Sequence, residues 1–334
     1  MNQIKYPKHE ALSVALIFLL ITAITQAQNT PTPAPTKTAI QNETASPTIE
    51  TEIETANPEE VTFTQTDLTV ITGNVQRPNG AVWFDDKIYV VCSGDWTIYE
   101  IEDRSGSTRT YIYGVRNGHS MVSEVNSNNE LTLWVPDFAT NQLLLVNSVR
   151  APQIIADNLE GPWGILQKDE DEFLITSLNG NSIYAVNRDG TTRIIAEALR
   201  SPTGIASNTD YVYVANSGSA RRAIEWFEKS LIDSSNDTPI STQPLVSGLQ
   251  NVTGMVLAED GMLYFAYSLG TRGVVGKVDP IVCQEKGGCT NDEVQIVVYT
   301  ELAAPLAGLT ISPDMRLFIH TMFRPEIYWV QLAQ

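Results

Sequence analysis

The stretch "SPTGIASNTDYVYVANSG", residues 201–218, is one copy of a unit that returns along the chain. Other copies are "RPNGAVWFDDKIYVVCSG" from Arg77, "GPWGILQKDEDEFLITSLNG" from Gly161, "NVTGMVLAEDGMLYFAYSLG" from Asn251 and "PLAGLTISPDMRLFIHTMF" from Pro305. A degraded copy from Gly118 has Ser120 where the others have Gly80, Gly164, Gly204, Gly254 and Gly308, and the steps between these markers are 40, 44, 40, 50 and 54 residues. Short alternating strands and Gly, Asn and Asp turns at that period are the signature of four-stranded propeller blades. One such unit cannot bury its own apolar face, so the six must stack.

Two more strands follow in each unit. The third reads "TIYEI", "QLLLV", "SIYAV", "AIEWF", "VVGKV" and "IYWVQ"; the fourth reads "TYIYG", "QIIAD", "TRIIA", "QPLVS" and "IVVYT". Only five fourth strands follow their blades, because the sequence ends at Gln334. "LTVIT", Leu68 to Thr72, precedes blade one and reads like a fourth strand. An unpaired edge is an aggregation hazard, so the spacing predicts that this segment completes blade six and closes an all-β, six-bladed β-propeller as one strand plus three. The propeller is expected over residues 61–334.

The flanks differ in kind. Lys5 and Lys8 precede the apolar run "ALSVALIFLLITAIT" and then "QAQ", the pattern of a signal peptide over residues 1–27. At 1.5 Å per residue that run would span only ~22 Å, short of a hydrocarbon core, and an uncleaved membrane anchor is the alternative. Residues 28–60 are rich in Pro, Thr and Glu with almost no large apolar side chain, which reads as a disordered linker or stalk. An extracytoplasmic location follows, whether secreted, periplasmic or at the cell surface. Cys283 and Cys289, at the ends of "CQEKGGC" in a long insertion of blade five, are placed to form a disulfide, consistent with export. Cys92 is left over and reads as a small packed side chain. A formal net charge of −18 with no Lys/Arg-rich face argues against nucleic acid or anionic lipid as a partner.

The Pro-x-Gly starts, the following apolar strands and the "YVxxxSG" endings of Arg77–Gly94 and Ser201–Gly218 resemble the NHL-repeat and SMP-30/gluconolactonase group of six-bladed propellers, over the whole region from residue 61. In such a fold the residue before each marker faces the channel mouth, which gives the ring Asn79, His119, Trp163, Thr203, Thr253 and Ala307. The resemblance implies, for the lactonases of the group, a divalent cation held by a Glu two residues before a blade's Pro, an Asn and an Asp. Glu160 and Asn79 match fragments of that set, but the remaining position here falls on Ala307. Hard cations want several anionic oxygens, so no cofactor is called for. A zinc lyase version would need imidazole or thiolate ligands, and His119 with His320 does not suffice; His320 reads as a packed histidine between blades. No Gly-x-Ser-x-Gly elbow is present. His119 and Asp137 could make an acid/base pair, but Asp137 reads better as a turn carboxylate bound by backbone N–H groups.

What remains is a binding surface. Trp96, Trp163, Phe138, Tyr267, Phe323, Arg272 and Arg324 fall at loops or strand ends on the mouth side, and aromatic and Arg side chains are what binding hot spots use. The candidate ligand-binding set is Asn79, His119, Asp137, Glu160, Trp163, Asn216, Arg272 and Arg324, with a small polar molecule or an extracellular protein as the partner. The alternative is a hydrolase of a lactone or sugar-derived ester with a divalent cation.

Overall fold

The computed structural model describes residues 62–125, 127–233 and 238–332. The signal-type segment and the Pro/Thr/Glu-rich stretch expected at 1–27 and 28–60 lie outside the described residues. Within them the chain forms six antiparallel sheets in sequence order, each a blade. The first strands are Pro78–Phe84, Val122–Val125, Pro162–Gln167, Pro202–Ser207, Gln250–Leu257 and Gly308–Ile311. The expected closure is present: Thr69–Thr72 pairs antiparallel with Ile327–Gln331, with Val70 opposite Tyr328, as the outer strand of blade six.

Burial explains why these segments are strands. Second strands are covered on both faces by the neighbouring blades, so Lys87–Cys92, Glu172–Ser177 and Arg316–His320 are nearly continuous apolar runs with almost every residue buried. Fourth strands lie at the rim, and Thr108–Tyr113 is largely half-buried or exposed. Three of the five marker glycines, Gly80, Gly164 and Gly204, serve close approach rather than unusual dihedrals. A Cβ at Gly80 would lie 2.5 Å from the His119 carbonyl carbon, and one at Gly164 would lie 2.3 Å from the Thr203 carbonyl oxygen. The inner strands can therefore crowd the axis only where the side chain is missing.

Two blades carry a fifth strand that the repeat does not encode. Cys283 and Cys289 form a disulfide in the blade-five insertion, which holds the helix Pro280–Glu285, and Cys289–Thr290 then runs parallel to the outer strand of blade four. Phe63–Thr64 pairs in parallel with Val298 and Tyr299 of blade five. These additions come from insertions and flanks, so no repeat period reveals them. Cys92 is fully buried, and burial pushes its thiol up to about 12, consistent with a packed, unreactive side chain.

Candidate functional site

Strand pairing fixes the mouth of the channel. In blade one Pro78 faces Cys92, Cys92 faces Thr97, and Thr97 faces Tyr113, so strand-one starts, the turns between strands two and three, and strand-four ends share one face of the ring.

Trp163 dominates that face. Its indole lies parallel to the His119 ring, with centroids 3.5 Å apart and planes 5° from coplanar, and Phe138 stands edge-on to both at 5.7 and 5.8 Å. The Trp163 Nε1–H donates to the Thr253 carbonyl at 3.1 Å, which carries the side chain from blade three across to blade five. Beneath this lid a cavity of about 40 Å³ remains, lined by His119, Trp163, Thr253 and the backbone of the marker glycines. That is room for about one water, against the ~300–1,000 Å³ of ordinary small-molecule pockets.

Three of the other ring residues are inter-blade clips. The Asn79 amide donates to Asn117 Oδ1 of the next blade. Thr203 Oγ1 donates to the Val252 carbonyl at 2.7 Å, and Thr253 Oγ1 to the Leu306 carbonyl at 2.8 Å. Asn79 and Thr203 are 3% and 1% exposed, so neither side chain is offered to a ligand. Asp137 and Asn216 also have structural tasks. Each ends a second strand and accepts the N–H of the turn entering its own blade, Asp137 from Arg116 and Asn117 and Asn216 from Arg200, while Asp137 also accepts the Ala139 N–H of the turn that follows it. Asn216 also donates to the Arg222 carbonyl and to Glu225. The carboxylate of Asp137 is therefore bound by backbone amides and does not pair with His119.

Glu160, Arg272 and Arg324 do reach the surface. Glu160 is exposed, while its backbone carbonyl accepts from Ser177 Oγ and Asn179 N. Arg272 is half-buried and donates to the Glu301 carbonyl; Arg324 is exposed. Tyr267 is buried between blades four and five, where it lines a cavity of about 160 Å³ with Leu249, Gln250 and Leu269. Residues that the sequence reading passed over, Arg77, Arg116 and Tyr113, are all exposed on this face. The signal for the first two was positional, because Arg77, Arg116, Glu160 and Arg200 recur in the turn that enters each blade.

The donor set does not fit a divalent cation. Glu160 is the one carboxylate of the implied trio, Asn79 offers a neutral amide oxygen on a side chain that is 3% exposed, and Ala307 offers no ligand atom. Among the described residues no three His, Cys, Asp or Glu side chains converge.

His119 and His320 are buried, and His119 Nδ1 has no hydrogen-bond partner among the described residues. Burial pushes His119 down to about 3, with His320 adding to the shift, and pushes His320 down to about 4. Both are neutral in the fold and bind protons more readily when unfolded. Their contribution is therefore intact above the unfolded value of about 6.5 and is lost as pH falls from there toward 4. Each is expected to remove about 1.4 kcal/mol of stability per pH unit in that window. Urea denaturation at pH 7.5 and 5.5 checks this, and a His119→Phe/His320→Leu variant should show a flatter profile; an equally steep profile would place the acid sensitivity elsewhere.

No family model matches the sequence, and no curated protein matches it. The architecture is that of a six-bladed β-propeller. Among solved structures the chain is similar to a gluconolactonase from Xanthomonas campestris (14% identity, 80% of this chain and 89% of that one, TM-score 0.59). It is also similar to a calcium-binding protein, regucalcin, from Agrobacterium tumefaciens (14%, 80% and 94%, 0.58) and to a streptogramin B lyase (15%, 80% and 97%, 0.55). At such identities the likeness is one of fold, which hosts many unrelated activities.

Proposed function

We propose that this chain is an exported recognition module whose channel-mouth face binds a protein partner. The observation that carries this reading is the Trp163 lid, hydrogen-bonded across the channel and leaving about 40 Å³ beneath it. A site this closed favours recognition on the face itself over capture of a small molecule within the channel. The disulfide supports an oxidising compartment. The gluconolactonase and calcium-binding neighbours make a cation-dependent lactonase the reading to test against.

Calorimetric titration with Ca²⁺, Mn²⁺ and Zn²⁺, together with a hydrolysis assay on a panel of aldonolactones, is expected to give no specific binding and no metal-dependent turnover. Metal-dependent hydrolysis that disappears in Glu160→Gln, the variant lacking the one exposed carboxylate of the implied set, would overturn the recognition reading in favour of the hydrolase.

A further inference from the structure

The turns between strands two and three in blades one, two and three share one geometry. Their fourth residues are Trp96, Asn141 and Asn181, with φ of 60°, 59° and 53°. Asn tolerates this left-handed corner, whereas a bulky side chain there is an outlier. Both asparagines also use their side chains: Asn141 Oδ1 accepts the Gly161 N–H and Asn181 Oδ1 accepts the Ser201 N–H of the next blade, each at 2.8 Å. Trp96 makes no such bond, and its ring is 53% exposed. Blade one has thus exchanged a favourable corner residue and an inter-blade hydrogen bond for a solvent-facing indole. Stability does not account for the exchange, and strained positions of this kind concentrate at functional sites.

The surroundings are of one chemistry. The Arg116 guanidinium lies 5.2 Å above the Trp96 ring. Tyr113 and Phe323, 66% and 61% exposed, are on the same face. The segment that enters blade one passes close to blade six: a Cβ at Gly73 would lie 3.9 Å from the Glu326 side chain, in the turn that carries Phe323 and Arg324. Gly94 N–H donates to the Gln76 carbonyl, next to Arg77, and Gly114 N–H to the Trp96 carbonyl.

Arg104, Arg109, Arg188, Arg193 and Arg316, which lie elsewhere, and Arg222, in the turn after the second strand of blade four, are each in an ion pair. Arg77, Arg116 and Arg324 are exposed, and none is in an ion pair among the described residues. In a chain of net charge −18, with carboxylates to spare, that is a face kept open for carboxylates from outside. Its own acids are Asp95, held by the Tyr99 hydroxyl at 2.5 Å, and Glu326, with one carboxylate oxygen buried. They divide the positive field into separate sites, which suits spaced carboxylates alternating with apolar side chains better than a continuous run of phosphates.

Resting on the recognition reading above, we propose that the patch formed by Trp96, Tyr113, Phe323, Arg77, Arg116 and Arg324 binds an acidic polypeptide segment of a partner protein. The guanidinium groups take its carboxylates and the rings cover its apolar side chains. The test uses fluorescently labelled poly-L-glutamate at pH 7 and anisotropy at about 50 and 500 mM salt, a range over which exposed ion pairing is screened. The parent is expected to bind and to weaken at least ~tenfold across that range. An Arg77→Gln/Arg116→Gln/Arg324→Gln variant is expected to lose at least ~tenfold at low salt, whereas Lys229→Gln on the opposite face should bind as the parent does. Trp96→Asn restores the residue the corner favours, so it should melt at or above the parent temperature and still bind at least ~fivefold more weakly. Absence of binding by the parent, equal binding by the triple-arginine variant, or loss of stability in Trp96→Asn would overturn the proposal. Tighter binding of polygalacturonate or oligodeoxythymidine than of polyglutamate would also overturn it, as would low-salt self-association in place of binding. Polyglutamate failing to bind while no metal-dependent lactone hydrolysis is seen defeats only this inference; hydrolysis lost in Glu160→Gln defeats the recognition reading itself.

Discussion

A chain that begins at Gly73 is expected to lose the cooperative unfolding of the full propeller and to associate in solution. The truncation removes Thr69–Thr72, the fourth strand of blade six, and leaves Ile327–Gln331 as an open edge with unpaired N–H and C=O groups. It also removes apolar cover. Ile71 packs on the core between blades six and one, and Phe63 and Leu68 pack on the core between blades five and six. Full burial of a large apolar side chain is worth about 1.5–3 kcal/mol, and these three are partly buried, so the loss is a substantial fraction of the ~5–15 kcal/mol that holds an ordinary domain together. The strand further ties blade six to blade one, because Thr72 Oγ1 and Thr108 Oγ1 lie 2.9 Å apart. Differential scanning calorimetry and size-exclusion chromatography read the outcome. A single transition at the parent temperature, with a monomeric profile, would show that the ring does not need this strand.

The blades and their closure were legible because a repeat imposes the same local pattern six times, and a missing fourth strand at one end must be supplied from the other. The disulfide was legible from two cysteines six residues apart in one insertion. The site was only partly so. A channel-facing position can be assigned from register, but whether its side chain opens to a ligand depends on how close the next blade comes. Asn79, Thr203 and Thr253 spend their polar groups on neighbouring blades, and Trp163 reaches a carbonyl 90 residues away. Asp137 and Asn216 show the same limit, since a polar residue at the end of a strand looks alike whether it caps a turn or meets a ligand. Trp96 is the converse case: its meaning appears only beside Asn141 and Asn181, once the three turns are seen to share one backbone conformation.

Arg316 makes the buried ion pair between blades six and one, and replacing it with Met is expected to destabilise the propeller by about 3–5 kcal/mol, the usual consequence of breaking a buried ion pair from one side. Both Arg316 and Asp103 are 1% exposed. The guanidinium of blade six pairs with the Asp103 carboxylate of blade one and donates to the Asp103 carbonyl at 2.7 Å, while its Nε faces Asp314 at 3.2 Å. Asp103 also accepts the Trp83 Nε1–H at 2.6 Å. Without the arginine, that carboxylate would remain buried with the Trp83 indole and the distant Arg104, 3.8 Å away, as its remaining polar neighbours. Packing is lost as well, since the guanidinium lies 5.4 Å from the Phe318 ring and 5.9 Å from that of Trp329. Asp103→Asn should cost less, because the amide oxygen can still accept from Arg316 and Trp83. Urea denaturation of the two variants decides the matter: a loss below ~1 kcal/mol for Arg316→Met would mean that water or a neighbouring base replaces the guanidinium, and that this ion pair does not hold the closure.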